Sequence, residues 1–168
     1  MESVKSNPRP SGQGPLKLKV GWEAPSAIIS EMAYLTSRQQ AEVGVDYQPY
    51  APNWDVYLAH ERAGSCRIWT ARPIDGSALV GYVVWLFYRG MHNVDTMFAN
   101  ADLVYLSPEW REGMIGYKLL KSSVAAVEKA AHIVRIETND LYEEGRMGVL
   151  LERLKFRRIG SVYQKVVK

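Results

Sequence analysis

The sequence predicts a mixed α/β domain on one central sheet of mostly antiparallel strands, and three observations predict it. Segments with strand and helix periodicity are interleaved along 168 residues, a length that suits one domain with a substantial core. Consecutive strand-like runs in the middle of the chain are joined by short turns, which require antiparallel pairing. An apolar strand then passes through a glycine-bearing loop into a long amphipathic helix.

The first element, Leu16 to Trp22, alternates apolar and basic residues as a half-exposed strand does. Ala27 to Ala41 carries Ile28, Ile29, Met32 and Leu35 at helical spacing after a cap at Ser26. Gly44 and Pro49 mark a loop. A second helix is expected from Asn53 to about Ala63, stopped by Gly64. Cys66 to Arg72 and Ala78 to Tyr88 are rich in β-branched and aromatic residues, with Asp75-Gly76 turning the chain between them. A loop with Gly90, His92 and Asn93 leads to a strand from Thr96 to Leu106, which Ser107-Pro108 ends. The long helix spans Glu112 to Ala131, its apolar face formed by Ile115, Leu119, Leu120, Val124 and Val127. A short strand, Ile133 to Thr138, a helix, Arg146 to Leu154, and a closing strand, Ile159 to Val167, complete the chain.

Composition narrows the function classes. The chain is 47% apolar and 23% charged, ordinary for a globular protein, and no run of apolar residues is long enough to span a membrane. Residues 1–15 mix Lys, Arg, Pro, Gly and Ser without an apolar run; they read as a flexible leader before one domain over 16–168, not as a secretory signal. A net charge of +3 tolerates an acidic ligand but is too small to argue for nucleic acid. With Cys66 as the single cysteine, no intrachain disulfide can form, and a cytoplasmic location is expected. His60, His92 and His132 are scattered, without metal-ligand spacing, so no metal is expected.

The most informative stretch is ADLVYLSPEWREGMIGYKLL, Ala101 to Leu120. A strand end, a turn, Arg111, two glycines and a helix start aim several backbone N–H groups at one point, which suits a phosphate. Gly113 and Gly116 would let the backbone approach a bulky ligand. The same arrangement also closes helices onto sheets with no ligand. It lacks the Gly-Lys-Ser/Thr ending of a P-loop and the spacing of a dinucleotide fingerprint.

LSPEWREGMIGYKLL resembles motif A of the GCN5-related N-acetyltransferases (GNAT), in which an [RQ]-x-x-G-x-[GA] loop follows the strand. LLERLKF, Leu150 to Phe156, is similar to the family's LYEKLGF segment, and VYQK, Val162 to Lys165, to its final strand. WTARPIDGSALVGYVV, Trp69 to Val84, matches the hairpin that ends in Gly-Tyr. The resemblance runs in order from about Trp54 to Lys168. Arg-x-Gly-x-x-Gly followed by Tyr-Lys-Leu-Leu, with PNWDVYLAHERAG at Pro52 to Gly64, is most similar to members encoded by bacteriophages.

The resemblance implies the acyl-CoA N-acyltransferase fold: a mixed, mostly antiparallel sheet of about six to seven strands flanked by about four helices. It implies transfer of an acetyl group from acetyl-CoA to a primary amine on a protein or small molecule. The alternative is a protein that uses the scaffold to dock on a host protein, in the host cytoplasm. The pantetheine arm would pair with the backbone of Val104, Tyr105 and Leu106, whose N–H groups would polarise the thioester carbonyl. The amides of Arg111, Glu112, Gly113, Met114, Ile115, Gly116 and Tyr117 would hold the pyrophosphate, and Arg111 would add a charged bond to it. A homodimer is compatible with the apolar final strand.

Two departures from the pattern matter. Met114 stands where the loop's usual glycine would be, with Gly113 one place earlier. Leu151 occupies the place of a tyrosine that, in many members, protonates the departing thiolate; leucine cannot do this. Tyr142 is the substitute nearest in sequence, with Tyr163 behind it, although the ordinary reading of each is a packed tyrosine; a thiol's pKa of about 8.5 also permits unassisted departure. For the base, Asp102 is expected by strand alternation on the face of Val104 and Leu106, where it would accept a proton or pair with a nearby Lys or Arg. Glu137 and the loop residue His92 are weaker candidates. Trp69, Trp85, Phe87 and Tyr88 read as core or cleft wall, and Cys66 as a buried structural cysteine.

Overall fold

The computed structural model describes residues 18–43, 49–130, 133–138 and 146–160. Among them lie β1 (Leu18–Glu23), α1 (Pro25–Val43), α2 (Trp54–Arg62), β2 (Cys66–Pro73), β3 (Gly81–Gly90), β4 (Asn93–Leu106), a 3₁₀ turn (Pro108–Trp110), α3 (Ile115–Glu128), β5 (Ile133–Thr138) and α4 (Arg146–Arg153). The expected last strand is irregular at Ile159 and Gly160 and otherwise outside the described residues, as is the leader. The described sheet therefore has five strands, in the order β1-β2-β3-β4-β5, against the six to seven expected. The first four pair antiparallel, and β5 joins β4 in parallel.

Local chemistry sets the element ends. α1 starts at Pro25, whose fixed φ and missing N–H suit a first helical residue. Ser26 is thus inside the helix and does not cap it. Its N–H and hydroxyl both donate to the Glu61 carboxylate, at 2.8 Å each, tying α1 to α2. Asn53 caps α2 by accepting from Val56 N–H. β3 begins at Gly81 and not at Ala78: Asp75-Gly76 makes a tight turn, with Gly76 N–H bonded to the Pro73 carbonyl, and Ser77 to Val80 lead irregularly into the strand. The Val80 N–H bonds to Ala71 of β2, while its carbonyl accepts from Ser107 after β4. α3 begins at Ile115, three residues later than expected. Gly113 adopts a left-handed φ of +62°, which no helix can continue through.

The sheet carries a helical layer on each face. On one face Ile28, Met32 and Leu35 of α1 pack on Cys66, Ile68, Tyr82, Val84 and Tyr105, with Trp54 and Tyr57 of α2 beside them. On the other, Leu119, Leu120, Val124 and Val127 of α3 and Met147 of α4 cover Val83, Trp85, Ala99, Ala101 and Leu106. Trp85 is fully buried, Trp69 and Phe87 are partly buried, and Tyr88 is exposed. At Gly81, β3 and β4 leave no room for a side chain. A Cβ there would lie 2.9 Å from the Tyr105 carbonyl and 2.8 Å from Leu106 Cδ1, so only glycine fits.

Candidate functional site

Among the described residues, β4 is paired on both sides along its lower half and with β3 alone along its upper half. Its pairing with β5 runs from Met97–Ile133 to Ala101–Thr138 and stops there. Beyond Ala101, among the described residues, no strand lies against that edge. The bond from Ser107 N–H to the Val80 carbonyl fixes the phase of the β3–β4 ladder. Leu103 and Tyr105 turn their backbone groups to β3, and Val104 and Leu106 turn theirs to the open edge. Of the three residues expected along the arm, Tyr105 turns its backbone to Tyr82 of β3, and only Val104 and Leu106 turn theirs to that edge.

The loop after β4 leads into α3 without a side-chain cap. The helix's first internal donor is Lys118, bonded to Met114 O at 2.9 Å, so the N–H groups of Ile115, Gly116 and Tyr117 have no intrahelical acceptor. Glu112, Gly113 and Met114 are exposed, and Met114 is 46% accessible, its side chain clear of the core. A Cβ on Gly113 would meet nothing, and one on Gly116 only Leu106 Cδ2 at 3.8 Å. Open space over a row of amides at a helix start, beside an unpaired strand edge, fits a diphosphate attached to an extended amide-bearing arm.

Arg111 is placed differently from the expectation. Its Nε donates to the Leu106 carbonyl at 2.6 Å, and both Nη atoms donate to the Glu42 carboxylate of α1. The guanidinium also stacks 5.4 Å from the centre of the Tyr105 ring. Arg38 and Glu109 form a second, reversed pair between α1 and the 3₁₀ turn, with bonds of 2.9 and 3.0 Å. This pairing holds the Glu109 carboxyl below its usual range. Between them Gln39, 6% exposed, donates Nε2–H to the Val104 carbonyl at 3.2 Å and accepts from the Tyr82 hydroxyl at 2.5 Å.

Asp102 sits at a break in the ladder. Val84 pairs with Leu103 and Trp85 with Ala101, so Asp102 is an inserted residue with no partner on β3. The bulge breaks the alternation that would have put it on the face of Val104 and Leu106. Those two pack on the α3 side, whereas the Asp102 charge acts on Tyr57 and Cys66 of the α1–α2 side. Asp102 keeps contact with solvent, yet surrounding protein desolvates its carboxyl and raises its pKa above the usual value. Burial, with a smaller contribution from Asp102, pushes the Tyr57 phenol up to about 12 and the Cys66 thiol up to about 11. Cys66 is therefore the inert, buried thiol expected.

The remaining candidates separate clearly. Glu137 accepts from the Tyr88 hydroxyl at 2.7 Å and pairs with Arg135 at 3.0 Å, so its oxygens are engaged. His92 is exposed at the tip of the β3–β4 hairpin. Five β3 residues separate Trp85, beside the Asp102 bulge, from Gly90 at the hairpin end, so at about 3.3 Å per residue His92 stands on the order of 20 Å from Asp102, beyond contact with it. Leu151 packs against the α3-side core. Tyr142, Tyr163 and His132 lie outside the described residues. Among the described residues no three His, Cys, Asp or Glu side chains gather as a metal site, and no helix is long and apolar enough to cross a membrane. Sequence reading missed Arg38, Gln39 and Glu42, although a signal existed. The stripe Ile28, Met32, Leu35 continues at helical spacing to Gln39 and Glu42, polar residues on the face that docks.

No protein-family model matches the chain, and no curated protein sequence matches it. Solved structures do. An aminoglycoside acetyltransferase from an uncultured soil metagenomic sample, in complex with sisomicin, superposes with a TM-score of 0.66 at 12% identity, over 90% of this chain and 97% of that one. Ribosomal-protein-alanine N-acetyltransferase from Brucella melitensis biovar Abortus 2308 gives 0.68 at 16% identity, over 90% and 99%. A predicted acetyltransferase with acetyl-CoA from Clostridium acetobutylicum gives 0.68 at 13% identity, over 89% and 96%. The chain has the acetyltransferase fold that its motifs resemble, GNAT.

Proposed function

We propose that the protein is an N-acetyltransferase that binds acetyl-CoA and acetylates a primary amine by direct attack. One observation carries this reading: the upper part of β4, with no strand beside its outer edge among the described residues, leads through the 3₁₀ turn to a helix start without a side-chain cap, preceded by a left-handed glycine. Acetyl-CoA would supply an activated thioester carbonyl. Leu106 N–H is a donor on the edge where that carbonyl would lie, and the amides of Gly113 to Tyr117 would meet the diphosphate. Asp102 would take the proton that the amine nitrogen sheds as its new C–N bond forms and the C–S bond breaks. Its raised pKa makes it a better proton acceptor than an ordinary carboxylate. With Leu151 in the core, the thiolate would leave unassisted or with help from Tyr142.

The test has two stages. Acetyl-CoA should raise the melting temperature, and mixed amines should then release free thiol. Asp102→Asn should keep the thermal shift and lose about a hundredfold or more in transfer, the usual contribution of a general base. An unmoved melting temperature would sink the reading. A second reading, a phage-type scaffold that binds acetyl-CoA and docks on a host protein, draws on the packed Leu151. It predicts the thermal shift without thiol release.

A further inference from the structure

The bulge at Asp102 sets its carboxylate on a part of the sheet that the helices cover incompletely. Ala101 packs on the α3 side, so the residues before and after it, Asn100 and Asp102, both turn to the α1–α2 side. Asn100 pairs with Leu86 of β3 and Glu137 of β5, which stand on that face with it. Among the described residues, the apolar cluster on this face ends at Leu86 and Leu103, against Trp54 and Tyr57 of α2. Tyr88, next along β3 on the same face, is 42% exposed. Charge on this floor is unevenly matched. Glu137 is held by Arg135 and by the Tyr88 hydroxyl, Arg135 lies 4.1 Å from the centre of the Phe98 ring, and Glu61 of α2 is bonded by Ser26. Asp102 has no hydrogen bond and no ion pair among the described residues, and the protein around it desolvates the carboxyl without supplying a Lys or Arg. Asp102 and Glu61 both act on Cys66, so the field here is negative. A carboxylate drawn out of water without a cation is costly unless a ligand brings one.

We propose that this place is the acceptor seat and that it takes a primary alkylammonium with no acidic group on the amine-bearing carbon, its nitrogen on Asp102 and its alkyl arm over Leu86. This rests on the acetyl-transfer reading above and names its substrate class. Leu86, with Tyr57 of α2 on the same face, suits methylene groups. A carboxylate on the amine-bearing carbon would meet Asp102 with no cation to receive it, so free α-amino acids are excluded. The bound ammonium gives one proton to water, which Asp102 still contacts, and the neutral amine stays hydrogen-bonded to the carboxylate that takes the next.

Calorimetric affinity for three amines in the CoA-loaded protein, where nothing turns over, tests this. Pentylamine, norleucinamide and norleucine share one carbon arm and differ only at the carbon beside the nitrogen. The first two should bind, and norleucine should bind at least about tenfold more weakly than norleucinamide. Tighter pentylamine would mark a side-chain amine as the natural acceptor, tighter norleucinamide an amine at a chain start; either order supports the seat. In Asp102→Asn, pentylamine should weaken by about tenfold or more, the scale of a lost charged hydrogen bond, and the gap between norleucinamide and norleucine should close to within about twofold. Asn100→Lys, which supplies the missing cation two positions along the strand, should weaken pentylamine as much, whereas Asn100→Gln should not. All three variants should keep the rise in melting temperature with CoA, which shows that they fold. Norleucine bound as tightly as norleucinamide by the wild type, or pentylamine unmoved by Asp102→Asn, would overturn the proposal. A wild type that CoA does not stabilise defeats the transfer reading as well; one that CoA stabilises but that binds none of the three amines defeats this inference alone.

Discussion

α1 and α3 cover opposite faces of the same sheet, and they are attached by different physics. α3 docks with Leu119, Leu120, Val124 and Val127 on an apolar face. Burial drives this and is indifferent to small shifts in position. α1 docks that way through Ile28, Met32 and Leu35, with Tyr34 partly buried beside them. The rest of its attachment is directional: Glu31 to Arg72 and Leu79 N–H, Arg38 to Glu109, Gln39 to Val104 and Tyr82, and Glu42 to Arg111. Hydrogen bonds with fixed geometry hold a helix at one position along a strand, where apolar contact holds it only against the strand. The helix held this way is the one bonded to the carbonyl of Val104.

Substitutions can break or sharpen this contrast. On the α3 side, Leu120→Ala should cost about 2–5 kcal/mol in denaturant unfolding, transfer and cavity terms together. A cost under about 1 kcal/mol would mean α3 is not held by burial. On the α1 side, Arg72→Met removes the shared partner of Glu23 and Glu31 and should cost about 2–3 kcal/mol near neutral pH, the range for hydrogen bonds to charged groups. Both carboxyls have folded pKa values below their ordinary 4.5, held there chiefly by Arg72. Their contribution is fully present above 4.5 and is lost as pH falls through the lowered values, so the difference between wild type and Arg72→Met should shrink in acid. A pH-independent gap would point to lost packing instead.

Gly113→Ala should cost about 1–2 kcal/mol, since the site is spacious but left-handed. It should also weaken acetyl-CoA, because the new side chain stands in the open space above the amides. Smallest of all, Arg38→Ala should cost about 1 kcal/mol or less and fade in molar salt, because the pair is partly exposed. A larger, salt-resistant loss would mean that this outer pair bears as much of α1's placement as Gln39 does.

Much of this architecture could be read from residue patterns. The hairpin at Asp75-Gly76, the end of β4 at Leu106 and the apolar face of α3 all follow from local periodicity and turn chemistry. The motif order from Trp69 to Leu120 pointed to the right fold because glycines at closest approach and at left-handed turns are tied to single positions. The errors share a cause. Asp102 was assigned to the wrong face by an alternation rule that a single inserted residue reverses. The pairing of Arg111 with Glu42 was invisible to local patterns because the two lie 69 residues apart in the chain. Gln39 was passed over because a polar residue on a helix normally marks the solvent side.

The sequence by itself determined which segments are strands and helices, where the glycine loop meets α3, and that one sheet carries them. These properties depend on neighbours within a few residues. Tertiary structure alone decided that Val104 and Leu106 turn their backbone away from β3, that their carbonyls accept from Gln39 and Arg111, and that a bulge sets Asp102 outside the β3–β4 ladder. Each of these is set by the phase of a ladder or by the partner of a charge, and both depend on groups that only the folded chain brings together.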